Sequence, residues 1–546
     1  MAHGSDIDTK SARFRANVDV NTDALRTLTT RLEKAAEGGS ERSRKRHAER
    51  GKLPARERVD AVIDEDTPFL ELSPLAAFGQ YDDKAPAAGL VTGIGIVAGA
   101  PYMFLANDAT VKGGSMMAAS MKKYIRAQDV AAENGIGCIY LVDSGGAYLP
   151  EQDQVFPDRD HFGGSFYRQA KMSAAGLPQL AVVLGGCTAG GAYVPALSDE
   201  VIMVEGIGRI YLGGPPIVRA ALGEEVDDET LGGAAMHASV SGVADYRVPD
   251  EHSAYGLLRK ICASTNQRRA DHRQDWVSWQ PPTEPAADPQ ELYGIIESDP
   301  RLLTDPYEVI ARLVDSSDFH EFKPDWGATL ITGFAHIWGF QVGIVINNGI
   351  LFSEAALKAT HFIELCEQRG LPLVFLQNTS GYMVGSDAER AGIAKHGAQM
   401  VTAVANATVP KYTVLIGSSY GAGNYGMSGR GLRPRFLFSW PNSRIATMAP
   451  ETAATVLGDI RKAGLKAETT SEAEVAEIRS EIAAEFEKFS DPYYATSRLW
   501  DDGIIDPTQT RDVLGLCLGL AARGPKPGEA DHPVDGAGGH KIVYRK

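Results

Sequence analysis

Two stretches of this 546-residue chain decide its fold: Gly185-Gly186-Cys187-Thr188-Ala189-Gly190-Gly191-Ala192-Tyr193 and Gly417-Ser418-Ser419-Tyr420-Gly421-Ala422-Gly423-Asn424-Tyr425. They are two versions of one element, and the second follows the first by 232 residues. Each comes directly after a short apolar run that begins with proline, over residues 178–184 and 410–416, and such a run predicts a buried strand. The glycines therefore stand where a strand turns into a helix.

A glycine-rich turn of this kind predicts a site for a negatively charged oxygen. Glycine lets the backbone approach a ligand closely, and the first N–H groups of a helix have no partner within it. The candidate donors are backbone N–H groups of the first turn, and the second stretch offers equivalent ones. Donors fixed in this way can stabilise an oxyanion.

The repetition extends beyond these two stretches. Residues 67–74, 92–95 and 140–147 resemble residues 317–324, 332–335 and 375–382, in the same order and at offsets of 250, 240 and 235 residues. A period this long indicates a duplicated domain, because solenoid repeats are about 20 to 50 residues long. Predicted strands alternate with helical segments such as residues 116–134 and 354–369, so the sequence predicts an α/β fold.

Composition narrows the class of protein. The formal net charge of −16 argues against nonspecific binding of nucleic acid. The basic run at residues 42–47 is therefore interpreted as a solvated helix face or a subunit contact. The sequence lacks both an apolar signal segment at its start and a run of about 18 to 20 apolar residues, which predicts a cytoplasmic protein that does not enter a membrane.

The five cysteines predict reduced thiols and no metal site, because their spacing matches no metal-binding pattern. Cys187 is expected to be a small buried residue, since Ser419 replaces it in the second stretch. The matched tyrosines Tyr193 and Tyr425 are expected to pack beneath their loops.

The chain length of 546 residues fits two domains with additional arms. The predicted divisions are a flexible N-terminus (1–19), a first domain with a helical arm (20–275), a proline-rich linker (276–290), a second domain (291–523) and a tail (524–546). The second domain carries a predicted amphipathic helix that starts at a capping box, Ser471 with Glu474. Its apolar face is Val475, Ile478, Ile482 and Phe486.

Longer motifs resemble one family. Residues 141–150 (LVDSGGAYLP) and 155–163 (VFPDRDHFG), together with the two glycine stretches, closely resemble the carboxyltransferase (β) subunit of biotin-dependent acyl-CoA carboxylases. Residues 107–114 (NDATVKGG) and 500–507 (WDDGIIDP) match as well, and the resemblance covers residues 20–523. Within the family, the chain is most similar to the 3-methylcrotonyl-CoA carboxylase branch, which acts in leucine degradation.

The resemblance implies two tandem crotonase-like (ClpP/crotonase, spiral ββα) domains, the first binding acyl-CoA and the second binding biotin. It implies an enzyme that transfers a carboxyl group from carboxybiotin to an acyl-CoA. On the acyl-CoA side it implicates a set of six residues: Lys112, Gly145, Gly146, Ala189, Gly190 and Gly191. On the biotin side it implicates a set of five: Thr379, Gly381, Gly421, Ala422 and Gly423.

The catalytic role implied for Gly190 and Gly191 is to hold the thioester oxygen as it becomes an enolate, and that for Ala422 and Gly423 is to hold the ureido oxygen of biotin. The sequence contains no Ala-Met-Lys-Met biotin-attachment motif and no Walker-type phosphate loop. The resemblance therefore implies a partner α subunit with biotin carboxylase and biotin carboxyl carrier domains. It also implies a β hexamer within an α6β6 complex, with each active site shared by two copies.

The acyl substrate is left open by the sequence. Met448-Ala449-Pro450-Glu451-Thr452 replaces a Met-Gly-Gly-Glu-Gln segment of the methylcrotonyl pattern. A geranyl-CoA carboxylase and a propionyl- or acetyl-CoA carboxylase are therefore alternatives. A noncatalytic β-like subunit of a larger carboxylase is an alternative of another class, and the intact glycine pairs argue against it.

Overall fold

The computed structural model describes Ser5 and residues 7–270, 277–299, 302–347, 349–464 and 472–524. The chain divides into two compact units. The first unit is Arg31–Asp275, Ser497–Leu499 and Arg523–Lys546, and the second is Met1–Thr30, Trp276–Thr496 and Trp500–Ala522. The capping residue Ser471 and residues 525–546 of the predicted tail lie outside the described residues.

Helices and strands alternate through the first part of the chain. The helices are α1 (Ala12–Ala36), α2 (Glu41–Ala48), α3 (Ala55–Asp60), α4 (Ala118–Glu133), α5 (Gln152–Val155), α6 (Phe162–Ala174), α7 (Tyr193–Ala196), α8 (Pro215–Leu222), α9 (Asp228–Gly232), α10 (Ala234–Met236) and α11 (Glu251–Ala270). The strands are β1 (Leu70–Leu72), β2 (Leu90–Val97), β3 (Ala100–Asn107), β4 (Gly137–Ser144), β5 (Gln179–Thr188), β6 (Glu200–Val204), β7 (Arg209–Tyr211) and β8 (Tyr246–Val248).

The second part repeats this alternation. Its helices are α12 (Leu292–Ile295), α13 (Pro306–Leu313), α14 (Ser353–Arg369), α15 (Ser386–Arg390), α16 (Ile393–Asn406), α17 (Gly423–Gly426), α18 (Pro450–Gly464), α19 (Glu472–Ser490), α20 (Pro492–Ser497) and α21 (Thr510–Arg523). Its strands are β9 (His320–Glu321), β10 (Leu330–Ile337), β11 (Phe340–Asn347), β12 (Leu373–Thr379), β13 (Lys411–Tyr420), β14 (Phe436–Ser439) and β15 (Arg444–Ala446). Short 3-10 helices include Lys112–Gly114 and Ala189–Ala192.

The two sheets share one strand order, to which the first adds β8 at its edge. In the first unit the order is β1-β2-β3-β4-β5-β6-β8 with β7 beside β5, and in the second it is β9-β10-β11-β12-β13-β14 with β15 beside β13. In each sheet an antiparallel pair leads into parallel strands, at β2–β3–β4 and at β10–β11–β12. The predicted duplication and α/β fold class are confirmed by this correspondence.

Strand register shows the duplication residue by residue. Glu71 of β1 pairs with Gly93 of β2, and Glu321 of β9 pairs with Gly333 of β10. Both glycines allow a phenylalanine ring to cross the sheet closely, since a Cβ added at either position would lie 2.4 Å from a ring atom of Phe69 or Phe319. These offsets of 250 and 240 residues are those of the sequence repeat.

Each unit has its own apolar core. In the first unit, buried side chains of β3, β4 and β5 pack with α11, including Phe104, Leu141 and Val182. In the second, side chains of β11 and β12 pack with α14 and α16, including Phe362 and Met400. Parallel strands covered by helices are apolar on both faces, which explains the uninterrupted apolar runs in the sequence.

The amphipathic helix predicted after residue 471 is confirmed as α19. Val475 and Ile482 are buried on its inner face. Ile478 and Phe486 pack against Ala453 and Ala454 of α18.

The N-terminal segment differs from the prediction. Helix α1 begins at Ala12, within the stretch expected to be flexible, and residues up to Thr30 belong to the second unit. The reason is that α1 buries two asparagines, whose amides donate to backbone carbonyls: Asn17 to Gly294 and Asn21 to Ile296. Such contacts cannot be read from the helical pattern alone.

Candidate functional site

The first glycine turn begins where β5 ends. Thr188 is followed by the 3-10 helix Ala189–Ala192, which leads directly into α7. Ala189 adopts a left-handed conformation, with φ of 50°. The backbone N–H groups of Gly190 and Gly191 lie side by side in the first turn of this helix. The turn therefore offers two adjacent backbone donors.

The second turn repeats this geometry at the end of β13. Gly421 takes the place of Ala189 and has φ of 58°. Its own N–H donates to Ala446 O at 3.0 Å, so Gly421 shapes the turn without offering a donor. The N–H groups of Ala422 and Gly423 lie at the start of α17, as those of Gly190 and Gly191 do in the first turn.

A second loop packs under each glycine turn. Ser144 Oγ accepts from the N–H of Gly146 at 3.2 Å, and Thr379 Oγ1 accepts from the N–H of Gly381 at 3.1 Å. A Cβ added at Gly191 would lie 3.0 Å from Ser144 Oγ. The structure therefore brings the predicted Gly146 and Gly191 together within the first unit, and a side chain at position 191 would crowd Ser144.

The same close approach recurs in the second unit. A Cβ added at Gly423 would lie 3.0 Å from Thr379 Cγ2 and 3.1 Å from Gly381 Cα. Gly381 has φ of 112°, a conformation that favours glycine. The structure thus brings Thr379, Gly381 and Gly423 together in one packed turn, and their binding of biotin stays a prediction.

A buried ion network that the sequence reasoning missed supports the first turn. Asp143 accepts from Lys52 Nζ at 2.9 Å and from Arg58 Nη1 at 3.4 Å. Arg58 also forms two hydrogen bonds with the carboxylate of Glu251. Burial alone would lower the pKa of Arg58, but Glu251 and Asp143 together raise it. The Asp143 side chain fits because residue 185 is a glycine, whose added Cβ would overlap it.

A large polar cavity lies beside the first turn, within the first unit. Its volume is about 1160 Å³, and its wall includes Lys112, Ser144, Gly145 and Thr188, the residue before Ala189. The predicted residues Lys112 and Gly145 therefore face one cavity that extends to the start of the glycine turn. Their common placement follows from the 3-10 helix at Lys112–Gly114, which packs on β4: Gly145 N–H donates to Gly114 O at 3.1 Å.

The basic run at residues 42–47 does not form only a solvated face. Arg46 and His47 line this cavity, and so do Ser40, Ser43 and Arg50. The sequence contained the signal: positions 40, 43, 46, 47 and 50 lie on one face of a helix. The total charge of the run does not distinguish the cavity face of the helix from its solvent face.

A small apolar cavity lies behind Gly191. Its volume is about 10 Å³, room for about one water molecule, and its wall includes Met116, Tyr124, Phe162 and Val194 as well as Gly191. It shares Ser144 with the wall of the large cavity. A group held at the N–H groups of Gly190 and Gly191 would therefore meet a short apolar space on one side.

The titratable groups near the first turn do not form a nucleophilic site. Cys187 is fully buried, and burial together with the charge of Asp143 raises the pKa of its thiol, which keeps it protonated. Its predicted role as a small buried residue fits this environment. Tyr193 and Tyr425, expected to pack beneath the loops, are instead 45% and 53% exposed, and Tyr193 contacts the ring of Phe166.

Two features are absent from the part of the chain that the structure describes. No group of three or more His, Cys, Asp or Glu side chains in the described part of the chain could hold a metal ion. Among the same residues, no helix is long and apolar enough to cross a membrane. The cytoplasmic location stays a prediction.

Known proteins resemble the chain over nearly its whole length. The carboxyl transferase domain family matches residues 46–531. The biotin-dependent 3-methylcrotonyl-coenzyme A carboxylase beta1 subunit of Mycobacterium tuberculosis is 55% identical over 503 residues, 91% of this chain and 94% of that protein. The probable mitochondrial methylcrotonoyl-CoA carboxylase beta chain of Drosophila melanogaster is 51% identical over 533 residues, 95% of this chain and 92% of that protein.

A solved structure shows the same architecture. The beta subunit of geranyl-CoA carboxylase from P. aeruginosa superposes with a TM-score of 0.88 and 36% sequence identity, and the match covers 100% of both chains.

The duplicated fold with its paired glycine turns is that of a carboxyltransferase, and the chain belongs to the carboxyl transferase domain family. Within this family it groups with the β subunits of biotin-dependent acyl-CoA carboxylases, which confirms the resemblance found in the sequence.

Proposed function

We propose that this protein transfers the carboxyl group of carboxybiotin to an acyl-CoA, and that the acyl-CoA is 3-methylcrotonyl-CoA. The observation that carries the proposal is the pair of equivalent glycine turns, each with two adjacent backbone donors at the end of a buried strand. A reaction with two oxyanions, one on each substrate, requires two such sites. The identity of 55% and 51% to methylcrotonoyl-CoA carboxylase subunits supports the choice of substrate.

In the first unit, Gly190 and Gly191 would donate their N–H groups to the thioester oxygen of the acyl-CoA. This oxygen becomes negative as the proton leaves the acyl chain, and each fixed donor can contribute about 3 kcal/mol to the transition state. Ala189 aims the turn through its left-handed conformation. Gly145 lines the cavity and Gly146 lies close to Gly191, and Lys112 would meet a phosphate of CoA.

In the second unit, Ala422 and Gly423 would donate to the ureido oxygen of biotin. The residues present fit such a group, because two donors lie side by side and Gly423 leaves the turn free of a side chain. Gly421 sets the direction of the turn, and Thr379 and Gly381 support it from below. Carboxybiotin, when bound, supplies the carboxyl group that is transferred.

The small apolar cavity behind Gly191 supports a short acyl chain. Phe162 and Tyr124 close it, so that a ten-carbon chain would require a larger displacement of these side chains than a five-carbon branched chain. Geranyl-CoA remains the second candidate because the P. aeruginosa geranyl-CoA carboxylase subunit shares the whole architecture.

The carboxylated biotin would be delivered by a partner α subunit that carries the biotin carboxylase and biotin carboxyl carrier domains. We propose a hexamer of this chain within an α6β6 complex, in which the acyl-CoA turn of one copy works with the biotin turn of another. A native mass near that of a single chain, 58.5 kDa, would contradict this assembly.

The test is to combine the purified protein with a biotinylated α subunit, ATP and bicarbonate, over a panel of acyl-CoAs of increasing chain length. We expect the highest kcat/KM with 3-methylcrotonyl-CoA and a lower value with geranyl-CoA. The reverse order would support the geranyl alternative. Absence of carboxylation of every acyl-CoA, with an α subunit shown to be carboxylated, would eliminate the catalytic function.

A further inference from the structure

One face of α2, with the residues at its two ends, forms a wall of the large cavity in the first unit. Ser40, Ser43, Arg46, His47 and Arg50 lie on this wall at helical spacing. Arg42 and Lys45 are exposed on the same helix but are not part of the wall. The helix is therefore divided into a cavity face and a solvent face, and both are basic.

The charges on the cavity wall are not balanced. Lys52 is paired with Asp143, and the guanidinium of Arg209 lies 3.7 Å from Glu229. Within residues 7–270 of the structure, Arg46 and Arg50 form no salt bridge. Their guanidinium groups stand exposed at the cavity with no carboxylate to neutralise them.

The acidic side chains of the cavity wall all accept hydrogen bonds from groups other than Arg46 and Arg50. Asp83 accepts from the N–H of Gly79 at 2.8 Å, and Asp228 accepts from the hydroxyl of Tyr211 at 2.9 Å. Asp143 accepts from Lys52 and Arg58. Since none of these carboxylates forms an ion pair with Arg46 or Arg50, the end of the cavity formed by α2 is cationic.

Helix α2 is held in a fixed position. Ser40 Oγ caps it by accepting from the N–H of Ser43, and the N–H of Gly39 donates to Thr110 Oγ1 at 2.9 Å. At its other end, His47 Nε2 hydrogen-bonds with Leu53 O at 3.0 Å. Because both ends are anchored, Arg46 is presented by a rigid helix, and Arg50 lies in the turn that follows it, where its N–H donates to His47 O at 3.1 Å. Side chains held in this way lose less entropy on binding than they would on a free loop.

The cavity connects α2 to the glycine turn. It includes Arg46 and Arg50 as well as Gly145 and Thr188, and its volume of about 1160 Å³ exceeds the range of about 300–1,000 Å³ found for ordinary small-molecule pockets. A ligand whose reacting end lies at Gly190 would therefore be long, with its other end at α2.

We propose that Arg46 and Arg50 form a binding subsite for a phosphomonoester, the 3′-phosphate at the nucleotide end of the acyl-CoA. Arginine suits this task because its planar guanidinium donates two parallel hydrogen bonds to phosphate oxygens and remains charged at any physiological pH. This inference rests on the proposed function, since it takes acyl-CoA as the ligand of the cavity. The subsite selects thioesters of CoA over those of dephospho-CoA.

The test is calorimetric binding of CoA and dephospho-CoA to the full-length protein, which does not require the α subunit. We expect the wild type to bind CoA at least about tenfold more tightly, as hydrogen bonds to a doubly charged phosphate imply. The double variant R46Q/R50Q should lose about tenfold in affinity for CoA and bind the two ligands nearly equally. The double variant R46K/R50K should recover part of the preference, because charge is kept but bidentate geometry is lost.

The matched control is R42Q/K45Q, which removes two positive charges from the solvent face of the same helix. It should keep the wild-type preference, and adenosine 3′,5′-bisphosphate should compete with CoA in the wild type and the control alone. An unchanged preference in R46Q/R50Q, or an equal loss in the control, would overturn the subsite while leaving the carboxyltransferase function intact. Failure of the wild type to bind CoA at all would overturn both proposals.

Discussion

The two glycine turns share one backbone path, but apolar side chains pack behind the first turn and polar side chains behind the second. Behind the first turn stand Val142, Cys187 and Ala192, all buried and apolar. At the equivalent positions behind the second stand Gln377, Ser419 and Asn424, where the hydroxyl of Ser419 donates to Gln377 Oε1 at 2.6 Å and accepts from Asn424 Nδ2 at 2.8 Å. The fold therefore keeps the donors at the same position in both halves. The side chains that pack behind the donors differ between the halves.

A second difference lies beside the turns. Asp143 forms a buried ion network in the first half, whereas its counterpart Asn378 is neutral and accepts a hydrogen bond from the N–H of Ser418 at 3.1 Å. Only the first half thus carries buried charge at this position. A half that binds a polyanionic ligand is expected to organise cations around it, and Lys52 lies both in this network and on the cavity wall.

Exchanging Asp143 for the residue of the other half tests this difference most severely. Asp143→Asn should destabilise the protein by about 3–5 kcal/mol, because Lys52 and Arg58 are left with less compensation in a buried site. Urea unfolding measures this cost. The reverse exchange, Asn378→Asp, should cost less because residue 378 is partly exposed. Equal losses of stability in the two variants would show that the ion network around Asp143 adds nothing to the stability of the first half.

Filling each turn should separate the roles of the halves. Gly191→Val and Gly423→Val would force side chains against Ser144 and against Thr379, and each should lower carboxylation about 10²- to 10³-fold through the displaced donors. Acyl-CoA binding should weaken only in Gly191→Val, and breakdown of carboxybiotin without acyl-CoA should slow only in Gly423→Val. Identical effects on both assays would contradict the assignment of one substrate to each half.

The side chains that pack behind the two turns should not be interchangeable. Ser419→Cys breaks the hydrogen bonds to Gln377 and Asn424, and Cys187→Ser places a hydroxyl in an apolar site. Each change should cost about 1–3 kcal/mol in the free energy of unfolding. Thermal melting measures the change in stability of each variant. Cys262→Ser, in the core of the first unit, is a second test of a buried thiol position. A neutral effect at residue 419 would mean that shape alone braces the second turn.

A buried lysine predicts a pH dependence in the first half. Burial lowers the pKa of Lys123 from its ordinary value of 10.5 to about 7, although its ammonium group donates to Leu90 O. Between these values the unfolded chain binds more protons than the folded chain, so stability should rise by about 1.4 kcal/mol per pH unit above pH 7. Urea unfolding at pH 7, 8 and 9 should show this rise, and Lys123→Met should flatten it. A slope unaffected by that substitution would assign the titration elsewhere.

The smallest expected effect concerns the two left-handed residues. Gly421→Ala should cost about 1–2 kcal/mol because alanine is strained at φ of 58°, whereas Ala189→Gly should relieve up to about 1 kcal/mol at φ of 50°. Differential scanning calorimetry would detect opposite shifts in melting temperature. Shifts of the same sign would mean that neighbouring packing, such as the close approach to Thr447 O, outweighs the backbone conformation.

Much of the fold could be predicted because the patterns that specify it are local or repeated along the chain. The offsets between equivalent segments identified the duplication, and the period of the apolar residues identified α4, α14 and α19. The assignment of residues up to Thr30 to the second unit could not be predicted, since it depends on the amide contacts of Asn17 and Asn21 with residues nearly 280 positions away.

The candidate site was predicted in part for the same reason. Gly191 and Gly423 mark positions where a side chain would crowd its neighbours, and such positions are visible as glycine in the sequence. The cavity face of α2 and the network of Asp143 with Lys52, Arg58 and Glu251 were missed, because ionic partners drawn from four separate segments leave no local pattern.

The sequence by itself determined a duplicated α/β fold with one strand-to-helix glycine turn in each half, because backbone turns and strand periods depend on neighbouring residues. Its longer motifs added the resemblance to the carboxyltransferase family. Only the tertiary structure decided which charges surround the first turn and which face of the basic helix meets the cavity. The physical reason is that electrostatic partners and cavity walls are set by distances in space, which chain order does not contain.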